Sequence, residues 1–347
     1  MKKKEIEILD CTLRDGIRMA EAKIKKNDIL EIIKVLSDSR VEIIELGFLR
    51  DYDIKVYNQN FIYFNDIEQA EQIVEKFHGN YALFVDYKMY NIDNLPNVSF
   101  DSKIKIIRFA FTKSNFENDF TEIEKSIVKI LNKGYHVYLQ PVNILSYTKK
   151  ELKTIIKLSN KYKISSLAIV DTYGSMYSED LKDISLFIDK HLHKNIKVSF
   201  HSHNSYQLSF SLAQYLVNSI KRSIVIDCTL SGIGKCGGNL PTELICNYLN
   251  KKSDKKYDMK MLYNLNDNVI LGLKKYYEWG YSQYSLIQGE YQVHPNNIIY
   301  LKSNNLNLLN IESVLSKLDD KYKSRYYYDE LDKLIPEGED ANNDYSE

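Results

Sequence analysis

The chain reads as an α/β protein of the (β/α)8 TIM-barrel class followed by a small C-terminal helical appendage. Three observations predict this. Eight short runs rich in β-branched and aromatic residues alternate with longer amphipathic segments, the pattern of repeated βα units around a parallel sheet. Polar and charged residues collect where those runs end, which is where barrels carry their chemistry. No glycine-rich phosphate loop follows the first run, as a doubly wound dinucleotide-binding sheet would require.

Taken in order, the strand runs are 5–11, 41–47, 81–86, 104–111, 136–142, 166–171, 196–203 and 223–230. The first alternates charge with isoleucine straight after its opening lysines, so it reads as a strand and not as a secretory leader. Helical patterns fall between the runs at 27–37, 67–77, 121–131, 149–162, 178–191 and 206–220, with a further one at 241–249. Beyond 251 the alternation stops, and 258–279 reads as one helix with shorter ones at 311–318 and 323–334. The expected organisation is a barrel over 1–250, a helical region over 251–335 and a disordered acidic tail over 336–347.

Charge and cysteine content bound the function. Lys plus Arg and Asp plus Glu both number 47, so the net charge is zero and no basic surplus argues for nucleic acid. Charge selectivity must then be local. No stretch is long and uncharged enough to cross a bilayer. The four cysteines form no C-x-x-C pair, which together with the missing leader points to reduced thiols in a cytoplasm.

The residues that carry chemistry sit at the strand ends. In the run 196–203, Ile196, Val198 and Phe200 make an apolar face, while Ser199, His201 and His203 share the opposite one. Apolar toward covering helices and polar toward the barrel axis is what a site-bearing strand shows. Two neutral imidazoles with a carboxylate make a divalent-metal set, and Asp15 closes the first strand. His191 and His193 have the same spacing but end a helical pattern. There, residues two apart point roughly 200° from each other, so that pair cannot chelate one ion.

Other strand ends add Arg14, Glu45, Arg108, Gln140, Asn143, Asp171 and Thr172. The turn Gly232-x-Gly234-x-x-Gly237-Gly238-Asn239 follows the last strand and leads into a helix. A dinucleotide fingerprint belongs after the first strand, so this one reads as a turn presenting Asn239 to the rim. Cys236, within it, has only Lys235 as a basic neighbour and reads as an inert thiol.

Three motifs together, Asp10-x-Thr12-Leu-Arg14-Asp15-Gly16, His201-x-His203-Asn204 and the glycine turn ending at Asn239, resemble the metal-dependent carbon–carbon lyases and synthases of the HMG-CoA lyase-like superfamily. The likeness spans about residues 5–250 and looks nearest to 4-hydroxy-2-oxovalerate aldolase-like proteins, as does Trp279-Gly-Tyr281 … His294-Pro-Asn-Asn further on. The resemblance implies that Asp15, His201 and His203 bind a divalent ion, Mn²⁺ before Mg²⁺, Zn²⁺ or Co²⁺, with Asn239 as a fourth ligand. It implies that Arg14 steadies an enolate oxygen. Arg18, Glu45, Arg108, Gln140, Asn143 and Thr172 are the candidate substrate-binding residues at the rim, while Glu45 and Asp171 also read as structural, holding loops through backbone N–H groups.

One departure from the pattern matters. Hydroxy-oxovalerate aldolases carry a histidine, serving as general base, three residues after the metal aspartate. Here that position is Arg18, which cannot take a proton at neutral pH. Either the acid–base work passes to another group, with His294 and Tyr284 the leading candidates beside Tyr281 and Tyr173, or the substrate differs, or activity is lost. Arg18 is itself suited to a carboxylate or phosphate on the substrate.

The expected activity is aldol cleavage or formation of a 4-hydroxy-2-oxo acid from pyruvate or an analogue and an aldehyde, through an enolate. The alternatives are a Claisen-type acyl-CoA/2-oxo acid synthase of the same superfamily, or a partner-dependent or non-catalytic barrel. A homodimer is expected by analogy with relatives, and an aldehyde-processing enzyme is the expected partner.

Overall fold

In the computed structural model, which describes residues 4–19, 24–51, 62–325 and 327–336, eight parallel strands close into a barrel. They are β1 Ile6–Asp10, β2 Ile43–Leu49, β3 Asn80–Asp86, β4 Ile104–Phe111, β5 His136–Pro141, β6 Ser166–Asp171, β7 Lys197–Ser202 and β8 Ile224–Cys228. Each pairs with the next. The ring closes because β1 pairs with β8 (Ile6 opposite Ile224, Asp10 opposite Cys228) and with β2 (Leu9 opposite Ile43). A two-residue strand, Tyr63–Phe64, extends β2 at the rim. The acidic tail expected from 336 onward lies, after Pro336, outside the described residues.

Most βα connections carry a helix: α1 Lys26–Asp38, α2 Ile67–Val74, α3 Lys113–Asn132, α4 Lys149–Tyr162, α5 Ser178–His191, α6 Ser209–Ser219 and α7 Thr242–Lys252. Between β3 and β4 the described chain has no α-helix, only a three-residue helical turn, Ile92–Asn94, among other turns. α3 begins eight residues before the expected 121 because the Thr112 side chain caps it, accepting from the Asn115 N–H. A break in helical geometry at Asp119 hides that first turn from a periodicity reading. His191 falls at the end of α5, where its Nδ1 lies 2.8 Å from the Phe187 carbonyl.

The barrel interior is layered. Leu9, Ile43, Ala82, Ile106, Tyr138 and Val225 form a buried apolar plug distinct from the shell between strands and helices. Two residues further along four of these strands stand Glu45, Arg108, Gln140 and Asp227, all buried. Strand alternation returns them to the inward face one layer up. A polar layer thus lies between an apolar floor and the mouth.

After α7 the helical region departs from expectation. The segment 258–279 is not one helix: α8, Met259–Leu265, passes into a wide turn, Asn266–Ile270, and a tight one, Leu271–Lys275. Asn264, Asn266, Asp267 and Asn268 compete with the helical backbone for hydrogen bonds, and Gly272 adds no support. Two helices follow that periodicity did not reveal, α9 Gln283–Glu290 and α10 Pro295–Ser303, then α11 Leu308–Lys317. The expected helix 323–334 is instead two short turns, Asp320–Lys323 and Tyr328–Asp332. These elements share their own core around Ile298, Leu301, Ile311 and Val314. They are pinned to the barrel by Trp279 Nε1 donating to Ser231 O at 2.9 Å and by Ser205 Oγ donating to Gln288 Oε1 at 2.9 Å. No described helix is long and apolar enough to cross a membrane.

Candidate metal centre

β1 exits into a single wide helical turn, Thr12–Gly16, and the opening motif divides into scaffold and chemistry there. Asp10 accepts from the Thr12 N–H at 2.9 Å and the Thr242 hydroxyl at 2.6 Å, while Thr12 Oγ1 accepts from Leu230 N at 2.7 Å. These bonds clamp the turn to the loop after β8. Gly16 lets it pack close, since a Cβ there would lie 2.4 Å from an Ile233 methyl. Arg14 and Asp15 are thereby carried to the barrel mouth.

β7 ends at Ser202, one residue short of His203, which instead forms an isolated antiparallel bridge with Asn239 of the glycine turn. Asn204 N donates to Gly238 O at 3.0 Å, and a Cβ on Gly237 would sit 2.6 Å from Ser205 Cα. The glycines of that turn serve backbone-to-backbone packing that fixes His203. They cradle no phosphate.

Asp15 Oδ2 lies 3.8 Å from His201 Nε2 and 3.8 Å from His203 Nε2, and one ligand atom from each residue falls within 4.8 Å of the others. With bonds of about 2.1 Å, two ligands of one ion stand at most about 4.2 Å apart, so both carboxylate–imidazole pairs suit a shared ion. Both rings present the nitrogen a metal needs. His201 Nδ1 is 3.1 Å from Asp227 Oδ2 and His203 Nδ1 is 3.3 Å from Gly238 O; acceptors at Nδ1 leave the Nε2 lone pairs facing Asp15. Asp15 Oδ2 and Asn239 Oδ1 are buried without a hydrogen-bond partner. The Asp15 oxygen, orphaned and buried beside two correctly oriented imidazoles, fits a cation.

Electrostatics favour the ligating forms. Burial pushes the Asp15 carboxyl up, but Arg14, with His203, His201 and Arg18, outweighs it and holds the group well below the usual carboxylate range. Burial lowers His203 to about 4, against the pull of Asp15, so it is a neutral donor throughout the neutral range.

A ring of buried ion pairs backs the triad. Arg14 Nη1 donates to Asp15 Oδ1 at 2.8 Å and its Nε to Glu45 Oε2 at 2.7 Å. Arg108 Nη1 donates to the same Glu45 oxygen at 2.8 Å, and its Nη2 to Asp227, which returns to His201. Three carboxylates against two guanidiniums leave this buried group one negative charge before any ion binds. A dication would turn it to one positive charge, receptive to a carboxylate or enolate.

The centre opens onto a cleft of about 990 Å³ between the barrel mouth and the C-terminal helices. Arg14, Arg18, Gln140, Asn143, Thr172, Tyr173 and His294 line it with the triad. Gln140 accepts from Arg108 through Oε1 at 3.2 Å, leaving its buried Nε2 without a protein partner. Asn143 takes a left-handed backbone, φ 53°, and its N–H donates to Thr172 Oγ1 at 2.7 Å, which fixes that part of the wall. Burial pushes the Tyr173 phenol up to about 12, so it stays protonated.

Several expectations are corrected. Glu45 and Arg108, expected at the substrate, do not line the cleft; they are wholly buried and held in the ion-pair ring. Tyr284 and Tyr281 line a separate groove with Trp279, and Lys302 Nζ sits 4.4 Å over the Tyr284 ring, so neither reaches the metal centre. His294 does reach the cleft, but its Nδ1 accepts the Asn296 N–H at 3.1 Å as the cap of α10. Burial first, then the Lys235, Arg18 and His203 charges, lower it to about 3, which makes it a poor proton acceptor. Asn239 stands beside His203 but also donates from Nδ2 to Ile233 O at 3.0 Å, outside the cleft lining. Two readings are not changed: Asp171 accepts from Ser175 N at 3.1 Å and Ser202 Oγ at 3.2 Å and holds its loop, and burial keeps Cys236 a thiol, pushed up to about 11. Asp227 was missed, although it follows inward-facing Val225 by two residues, the same alternation that linked the two histidines.

Fold and centre together define a parallel barrel with a carboxylate–imidazole metal site at the C-terminal ends of its strands. The chain belongs to the HMGL-like family, whose model matches residues 5–269. A 4-hydroxy-2-oxovalerate aldolase of Geobacillus genomosp. 3 is 26% identical over 72% of this chain and 72% of its own length. A homocitrate synthase of Pyrococcus abyssi is 24% identical over 76% of this chain and 70% of its own. Among solved structures, the N-terminal domain of a Bacteroides vulgatus protein named as an aldolase superposes with a TM-score of 0.72 at 20% identity, covering 86% of this chain and 96% of that one. Family members are enzymes of the lyase, aldolase and synthase type that depend on divalent metals.

Proposed function

We propose that this protein is a divalent-metal-dependent aldolase that reversibly cleaves a 4-hydroxy-2-oxo acid to pyruvate, or a near analogue, and an aldehyde. The observation that carries this is the triad of Asp15, His201 and His203 set directly beside the Arg14 guanidinium at the floor of the cleft. A divalent ion held there supplies Lewis-acid polarisation of a 2-oxo acid, and Mn²⁺ suits the mixed oxygen and imidazole donors.

The chain's own residues do the rest. Arg14 is fixed by Glu45 and Asp15 through Nε and Nη1, while its Nη2 has no hydrogen bond to a described residue and can donate to the enolate oxygen as charge develops. Gln140 Nε2 is placed to donate to a substrate carboxylate. Tyr173, protonated at neutral pH, can return a proton to the aldehyde oxygen.

The direct test is exchange of the methyl protons of pyruvate in deuterated water, which reports enolate formation without an aldehyde. With Mn²⁺ added, exchange is expected well above the uncatalysed rate, and a chelator should abolish it. If Mn²⁺-loaded protein neither exchanges those protons nor cleaves any 4-hydroxy-2-oxo acid, the aldolase reading is wrong. The similarity to homocitrate synthase keeps a second reading, Claisen condensation of an acyl-CoA with a 2-oxo acid. Thiol release from acetyl-CoA in the presence of a 2-oxo acid would identify it.

A further inference from the structure

We propose that Arg18 forms an anion subsite next to the metal centre, so that the aldehyde half of the substrate carries a carboxylate or a phosphate. This rests on the aldolase reading and adds the class of the second substrate.

Arg18 differs from two other arginines of the cleft, Arg14 and Arg50. Arg14 is paired with Asp15 and Glu45, and Arg50 with Asp86. Arg18 has neither an ion pair nor a hydrogen bond to any described residue; its guanidinium lies 5.1 Å from the centre of the Phe48 ring. The same ring carries Arg50 at 4.3 Å and Arg14 at 5.8 Å. Stacking on an aromatic face holds a guanidinium plane in place while its edge donors stay open to a bidentate oxyanion.

Position matters as much as pairing. Arg18 and Lys235 line the cleft together with the triad and His294, and Lys235 donates from Nζ to Asn296 Oδ1 at 2.8 Å. The pyruvate carboxylate does not account for Arg18, because Arg14 and Gln140 already flank the centre where that group would sit.

The test pairs each charged acceptor with a neutral one: succinic semialdehyde with butanal, and glyceraldehyde 3-phosphate with glyceraldehyde, each condensed with pyruvate and Mn²⁺. One charged member should exceed its neutral partner at least about tenfold in kcat/KM, mainly through KM, and which pair shows it separates carboxylate from phosphate. Arg18→Gln should collapse the ratio to within about threefold by raising KM for the charged member. A binding arm needs no turnover: succinate and inorganic phosphate are titrated calorimetrically into protein loaded with Mn²⁺ and oxalate. One of them should bind saturably, and at least about tenfold more weakly to Arg18→Gln. No charge preference, a preference that survives Arg18→Gln, or no saturable anion binding would each overturn the subsite. Pyruvate proton exchange with no aldehyde present keeps the two claims apart. Exchange without charge preference removes the subsite alone, whereas Arg18-dependent anion binding without exchange supports the subsite and removes the aldolase assignment.

Discussion

Asp15→Asn should weaken Mn²⁺ binding by at least about 100-fold and lower turnover by about 1,000-fold, while leaving the apo-protein folded. The metal-binding loss follows from replacing an ionised oxygen that faces two imidazole lone pairs with a neutral amide. The turnover loss corresponds to about 4 kcal/mol of transition-state stabilisation, the scale at which preorganised charge acts in an active site. Folding should survive because an amide oxygen can still accept from Arg14 Nη1, the one hydrogen bond Asp15 makes from its side chain. Metal titration followed by calorimetry, with circular dichroism of the apo form, checks both halves. Retained high-affinity Mn²⁺ binding would show that Asp15 is no ligand.

Arg108→Met should produce the largest loss of stability of any single substitution in the barrel interior. The guanidinium bridges Glu45 and Asp227, and none of the three side chains is exposed. Burial opposes its charge, yet Asp227 and Glu45 hold its pKa above the ordinary arginine value. Removing one partner of a buried pair costs about 3–5 kcal/mol, because the remaining carboxylates stay buried with less compensation. Thermal unfolding of the apo-protein should shift down by about 5 °C. Arg108→Lys keeps the charge but not the fork that reaches two carboxylates, and should recover only part of the loss. The same variants test the site, since Asp227 orients His201: metal affinity should fall by about 10-fold or more even in the molecules that remain folded. An unchanged unfolding midpoint would mean that the ion-pair ring contributes nothing to the fold.

The barrel was legible because its elements bury one face against one neighbour, and that leaves a clear period in the sequence. Val198 and Phe200 alternating with Ser199 and His201 was enough to orient β7 and to place two histidines at one rim. Asp227 was not read although the same rule covers it. It lies between Ile226 and Cys228, inside a strand, with no polar neighbour to flag it. Glu45 and Arg108 were rightly located but assigned to substrate, because alternation gives the side of the strand and not the depth of the layer. Only pairing across the barrel shows that the two neutralise each other below the floor.

The C-terminal region was hardest to read, for a physical reason. α9 and α10 are short, and their apolar residues do not gather on one stripe. α9 starts from a Ser282–Ser285 capping box and α10 from His294 followed by Pro295, signals that mark a start without fixing what the helix packs against. Tyr284 and His294 stand ten residues apart on this stretch, yet only His294 reaches the cleft.

The most direct measurement is anomalous diffraction at the manganese edge from crystals grown with Mn²⁺ and oxalate. The expected map has one peak bonded to Asp15 Oδ2, His201 Nε2 and His203 Nε2, with oxalate completing its coordination near Arg14. A peak coordinated elsewhere, or no peak at saturating Mn²⁺, would contradict the metal centre.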